Sequence, residues 1–213
     1  MTEHRAFAAV LLGGAYLAYK VWKQSKEVFE LKAREQMKEF AALYTRGLDR
    51  LDPDLIKAAF VEGGMMDIPN LEKPVPVAQF CIGATDFLKK SLVASMHAVS
   101  NFHVVFASDM KSAKSSIYFV ANHFKVIDGA VVNAAVYGRY CDTWVNDRGV
   151  FKITYRKLIY DFQGTEWTKA IEAAKKDTSL KQLPGVARHE NLGVRDKSDY
   201  DYAHLSWLPD VAV

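Results

Sequence analysis

Tyr44, Asp49, His97 and Arg156 are a phenol, a carboxylate, an imidazole and a guanidinium, set in segments whose expected shapes could converge. A carboxylate can orient a histidine and stabilise the imidazolium that forms when the ring takes a proton from carbon. A guanidinium can hold a departing anion or an enolate-like oxygen, and a phenol can donate a hydrogen bond or a proton to it. Together the four make a set for acid–base chemistry that needs neither metal nor cofactor. Asn101 and His103 fall in phase with His97 along its strand, so they are the candidates for contact with substrate. Each residue also has a plain reading. Tyr44 continues an apolar helical stripe, Asp49 stands where a helix end needs a polar residue, and His97 alone is an ordinary strand histidine. If Arg156 faces inward, strict alternation brings Lys152 and Thr154 in with it. His123, Cys141 and Asp142 receive no role at this stage.

The elements that must position these residues follow from the periodicity. Phe29, Ala33, Met37, Phe40, Ala41, Tyr44 and Leu48 recur at three- and four-residue steps, which predicts a helix from Val28 that Asp49 closes. Asp52-Pro53 reads as an N-cap and first-turn proline, opening a short helix to about Phe60 before Gly63-Gly64. The proline-rich stretch 69–76 reads as loop, and 85–95 as a third helix with Phe87, Leu88, Leu92 and Val93 inward. Beyond it the period changes to two. Four runs rich in Val, Ile, Tyr and Phe, at 97–106, 115–126, 131–145 and 150–161, are separated by turn signals such as Asp128-Gly129 and Asn146-Asp147-Arg148-Gly149. Short connections favour antiparallel neighbours. Helices first and long strands afterwards predict an α+β domain with helices on one face of a curved antiparallel sheet. A further helix is expected at 166–176, then a polar tail with apolar anchors at Leu205, Trp207 and Leu208.

Composition narrows the classes of function. Net charge is +3, from 28 basic and 25 acidic residues, and no basic run is interleaved with aromatics, so nucleic acid is not an expected partner. Two cysteines, Cys81 and Cys141, form neither a CxxC pair nor a disulfide framework, which fits a reducing compartment. The histidines lack metal-ligand spacing, so no metal is expected. Residues 6–19 carry no charge and are flanked by His4 and Arg5 on one side and Lys20, Lys23 and Lys26 on the other. That run is shorter than the about 20 residues of a comfortable membrane span. It is either an anchor or uncleaved signal, or a helix packed on the domain or a partner. The chain thus divides into an apolar N-terminal segment (1–27), a main domain (28–163) and a C-terminal helix and docking tail (164–213). The expected location is the cytoplasm, with association to a membrane through residues 6–22 left open.

Four strings, in order, carry a resemblance. The stretch from Tyr44 through Asp49 to Asp52 resembles the first-helix motif of the SnoaL-like family. His97-Ala98-Val99-Ser100-Asn101 is similar to its strand that opens with a histidine. Gly138 through Tyr140 and Asp142 to Trp144, and Phe151 through Ile153 to Arg156, are similar to its last two strands, with Phe151 where the family more often has Trp. The tail from Gly193 to Tyr200 carries a looser likeness on which nothing rests. The resemblance implies a cone-shaped α+β barrel, a curved sheet wrapped around helices and a deep apolar pocket, as in scytalone dehydratase and ketosteroid isomerase. It implies a cofactor-independent lyase, a dehydratase or dehydrohalogenase, acting on a small hydrophobic, cyclic substrate, and a homotrimer. Asp49 and His97 take the positions of the family's catalytic pair, and Arg156 that of its arginine. Tyr44 matches a tyrosine of the bile-acid 7α-dehydratase where hexachlorocyclohexane dehydrochlorinase has lysine, so the leaving group stays open. An isomerase using the same pocket, and a non-catalytic ligand-binding or scaffold domain, are the alternatives.

Overall fold

The computed structural model describes residues 2–163 and 200–204. A single helix, α1 (Thr2–Asp49), leads into α2 (Pro53–Ala58), β1 (Phe60–Asp67), β2 (Val75–Pro76), α3 (Val77–Ser91), β3 (Ala94–Phe106), β4 (Ser112–Ile127), β5 (Ala130–Asn133), β6 (Val136–Asp147) and β7 (Val150–Gln163). A short α4 (Tyr200–His204) follows. The expected helix at 166–176 and the anchors at 205, 207 and 208 lie outside the described residues.

The expected α+β architecture is found, with helices against a curved, unclosed sheet in the order β2-β1-β7-β6-β4-β3 and β5 beside β4. The sheet is mixed rather than antiparallel. β1, where the sequence reading had only the end of a short helix and the Gly63-Gly64 break, pairs parallel with β7 across a register shift between Phe60 and Met65. A long crossover through the rest of the chain makes that parallel pairing possible.

The helix stripe that predicts burial is the one that is buried. Ala33, Met37, Ala41, Tyr44 and Leu48 of α1 form one face of the core, with Phe29 and Phe40 packed at its edge. Two details at the end of α1 matter for the site. Leu51 adopts a left-handed conformation (φ 55°), and the Asp52 N–H donates to the Gly47 carbonyl at 2.8 Å, which stops the helix just after Asp49. Gly47 is required by contact: a Cβ there would meet the Ile56 side chain at 2.7 Å and its backbone nitrogen at 2.8 Å. The α2 cap is as expected, with Asp52 Oδ1 accepting from the N–H groups of Asp54 and Leu55 at 3.0 and 3.2 Å.

Three boundaries differ from the periodicity. The first helix does not begin at Val28 but runs without a break from Thr2. The third helix begins eight residues earlier than expected, at Val77, and ends at Ser91, because its buried stripe is Val77, Cys81, Thr85 and Leu88. A small and a polar residue at two of these positions hide that stripe from a hydrophobic pattern. The single strand expected at 131–145 is two, β5 and β6.

Two-residue turns at Asp128-Gly129 and Arg148-Gly149, all four with positive φ, close the β4–β5 and β6–β7 hairpins. Bulges then set which side chains face inward. On β7 the register slips at Thr154, so Phe151 and Ile153 are buried before it and Arg156 and Leu158 after it. Lys152 is therefore out of phase with Arg156, and its ammonium instead lies over the Phe40 ring and donates to the Ala58 carbonyl. Gly138 lets Phe119 approach β6, since a Cβ would fall 2.1 Å from the Ile159 carbonyl and 2.9 Å from the Phe119 ring.

Candidate active site

Asp49 is held at the C-terminal end of α1, the negative end of the helix dipole, which does not favour a carboxylate. Hydrogen bonds from β3 offset this. Its Oδ2 accepts from the His97 backbone N–H at 2.9 Å, and its Oδ1 accepts from the Ser95 hydroxyl at 3.0 Å and lies 2.7 Å from His97 Nδ1. The His97 and Asp49 side chains are 6% and 15% exposed. Burial pushes the Asp49 carboxyl up, but the hydrogen bonds from the His97 ring and backbone, the charge of that ring and the Ser95 hydroxyl outweigh it and hold the group below its ordinary value. In the neutral form of the ring, an ionised carboxylate against Nδ1 selects the tautomer with Nδ1–H and leaves Nε2 with its lone pair.

His123 is the residue that sequence reasoning missed here. Its ring meets that of His97 edge to face, with centroids 5.3 Å apart. Burial of the ring, aided by the neighbouring His97 and Lys125 charges, holds His123 down at about 3, so it stands beside the dyad as a neutral imidazole. The signal was available: His123 is in phase with Ile117, Phe119 and Ala121, the buried face of β4. A consequence for stability follows. The unfolded ring takes a proton below about pH 6.5 while the folded ring does not until about 3, so acidification through that window favours unfolding. Between pH 7 and 5 this is expected to cost up to about 2 kcal/mol. His204, also lowered by burial, adds a slope of the same sign, and Asp49 adds one only at lower pH. Urea midpoints at the two pH values should therefore shift less in His123→Gln than in the parent; an equal shift would remove His123 as a cause.

Tyr44 and Arg156 form a second cluster. Arg156 is fully buried and donates from Nε and Nη2 to Asp142 Oδ1 and Oδ2 at 2.7 and 2.8 Å, across the β6–β7 pair in which the two residues are partners. Its guanidinium carbon lies 4.2 Å from the Tyr44 ring centroid and 4.3 Å from that of Tyr140, so the charge sits in the corner between two phenol rings that meet edge to face. Burial works against the Arg156 charge, and Asp142 more than compensates, which raises the guanidinium further above its ordinary value. The anion that a buried Arg156 requires is thus within the protein. Nη1 is left with no hydrogen-bond partner among the described residues. Burial pushes Tyr44 up to about 12 and Tyr140 well above its ordinary value, moderated in both by Arg156, so both phenols stay protonated.

The four residues are therefore brought together as two pairs, Asp49 with His97 and Tyr44 with Arg156. No hydrogen bond or ion pair joins the two pairs among the described residues. Between them on the same face lie Phe119 and Tyr140, stacked at 4.4 Å, with Phe119 in phase with His123. Tyr44 and Asp49 are five residues apart on α1, about 7.5 Å along its axis, so the helix end presents one to β6 and β7 and the other to β3.

Asn101 and His103 do not join either pair. Both are exposed, because the β3–β4 register shifts between Ser100 and His103 and Asn101 adopts φ 47° in the bulge. The extra residue turns the phase over, and Phe102, Val104 and Phe106 face the core instead. Among the described residues no three His, Cys, Asp or Glu side chains gather into a set that could hold a metal ion.

Comparison with known proteins agrees with this fold. A SnoaL-like domain model matches residues 30–157. Among solved structures, a scytalone dehydratase-like protein of Novosphingobium aromaticivorans aligns with a TM-score of 0.55 at 21% identity, over 66% of this chain and 90% of its own. A hexachlorocyclohexane dehydrochlorinase of type 2 aligns with a TM-score of 0.57 at 12% identity, over 65% and 91%. A type 3 dehydrochlorinase of Novosphingobium barchaimii gives 0.55 at 9%, over 65% and 92%. At these identities the likeness is one of fold. No curated protein matches the chain. The family model spans more than half of the sequence, and its range holds both pairs of the candidate site; the chain belongs to the SnoaL-like family.

Proposed function

We propose that the protein is a cofactor-independent lyase, a dehydratase or dehydrohalogenase, whose base is His97. The observation that carries this is the grip of Asp49 on His97, which engages the ring Nδ1 and the backbone N–H of one residue with the two oxygens of one carboxylate. A side chain serving only to cap a helix has no need of the ring. Held this way, Nε2 removes a proton from a carbon next to the one bearing the leaving group. Asp49 stabilises the imidazolium, and the departing hydroxide or halide receives the Tyr44 phenol proton or a hydrogen bond from it. Arg156 supplies Nη1 and the positive field that remains beyond Asp142. His123, neutral and edge-on to His97, keeps the base from meeting a second positive charge.

Names among the structural relatives, dehydratase and dehydrochlorinase, support the same class and suggest a small hydrophobic, cyclic substrate. The test is incubation with cyclic alcohols and halides that bear an acidic C–H beside the leaving group, read by product mass. Loss of water or hydrogen halide supports the lyase. An isomer of unchanged mass points to proton return at another carbon by the same base. Saturable binding with no turnover of any member of the panel supports a ligand-binding domain instead.

A further inference from the structure

The first half of α1 carries a second apolar stripe that the domain does not cover. Gly14, Leu17, Val21, Gln24, Val28 and Leu31 follow one another at steps of three, four, three, four and three residues. Leu17, Val21, Val28 and Leu31 are 64%, 61%, 49% and 64% exposed. At about 100° per residue the stripe is centred roughly opposite the Ala33–Leu48 stripe that packs on the sheet. It is therefore not an unravelled continuation of the core-facing side. Its mean step of three and a half residues is the repeat that lets two helices supercoil with one seam kept in contact.

We propose that this stripe is the seam of a parallel, two-stranded coiled coil with a second copy of this chain. Three features choose that occupant. The first of each pair of seam positions holds Val21 and Val28, and the second Leu17 and Leu31; a β-branched residue in the first and leucine in the second favours two parallel strands. Gln24 is the one polar residue in the seam, and in a parallel pair in register it meets its own copy, where amide donor and acceptor match. Glu27 and Lys32, both exposed, flank the seam on opposite sides five residues apart. In that arrangement Glu27 of each helix faces Lys32 of the other, giving two symmetric opposite-charge contacts at the rim. Together they extend the domain into a stalk of residues 14–31, about 27 Å long.

The test compares the full chain with its Val21→Lys and Val28→Lys variants by sedimentation over a range of concentrations. The full chain is expected to have twice the mass of the Val21→Lys/Val28→Lys double variant, whose domain keeps its thermal midpoint. Leu17→Cys alone, oxidised, is expected to form a covalent dimer, because only a parallel pair in register puts that position against itself; Cys81 and Cys141 are buried and stay out of the reaction. Equal masses for the full chain and the double variant would overturn the proposal. So would a covalent dimer that forms only when Leu17→Cys and Val28→Cys are mixed, because an antiparallel overlap of this seam sets residue 17 against residue 28. Flotation of the full chain with anionic phosphatidylserine vesicles, lost in the double variant, together with a monomeric full chain, would assign the stripe to a lipid surface and overturn it as well.

Discussion

Asp142→Asn is expected to destabilise the fold by about 3–5 kcal/mol, because it leaves the Arg156 guanidinium charged and without an anion in a site with no access to water. Asp142 and Arg156 are both 0% exposed and bound through two hydrogen bonds, so solvent offers no screening to discount. The nearby Tyr44 and Tyr140 rings stabilise the cation but do not neutralise it. Removing both charges is the informative control. Asp142→Leu with Arg156→Met should recover much of the loss, since a buried ion pair and an apolar pair of similar volume often differ little. Urea denaturation of the single and double variants measures this. A cost under about 1 kcal/mol for Asp142→Asn would mean that another anion holds Arg156.

His97→Gln is expected to lower turnover by about 10²–10⁴-fold on any substrate the protein eliminates, the range that a positioned general base contributes. At about 1.4 kcal/mol per factor of ten, the barrier rises by about 3–5 kcal/mol. Asp49→Asn should lower turnover less and by a different route. An amide cannot present two anionic oxygens to the ring and backbone of His97, so the Nδ1–H tautomer loses its preference. Nitrogen-15 chemical shifts of the ring report that directly, without a substrate: one tautomer is expected in the parent and a mixture in Asp49→Asn. Full turnover in His97→Gln, or an unchanged tautomer in Asp49→Asn, would leave the dyad without a catalytic role. Circular dichroism should be unchanged in both variants, which separates lost chemistry from lost fold.

Much of the fold can be read from local physics. The three-and-four spacing of Ala33, Met37, Ala41, Tyr44 and Leu48, the Asp52-Pro53 cap and the paired turn residues at 128–129 and 148–149 each act over a few residues, and each is found where it is expected. The Asp49–His97 pairing, reached through family likeness, is joined in the structure by hydrogen bonds between the end of α1 and the start of β3. Single-residue insertions in the sheet lie beyond that reach. Counting out from the Arg148-Gly149 turn, the register that joins Asp147 to Val150 would set Asp142 opposite Tyr155; the bulge at Thr154 moves it to Arg156 and creates the buried ion pair. The bulge at Asn101 does the reverse, turning Asn101 and His103 out to solvent although simple alternation sets them beside His97.

The sequence by itself therefore placed the first two helices, the buried face of the first and the strand-rich second half of the domain, and through family likeness it named candidate residues for the chemistry. Tertiary structure alone decided that those residues form two pairs, that Asp142 and His123 belong with them, and that β1 enters the sheet parallel to β7. The reason is one of range. Helix periodicity and turn preference are set by near neighbours, whereas a side chain on a strand changes face with a shift of one residue, and that shift is chosen by packing across the sheet.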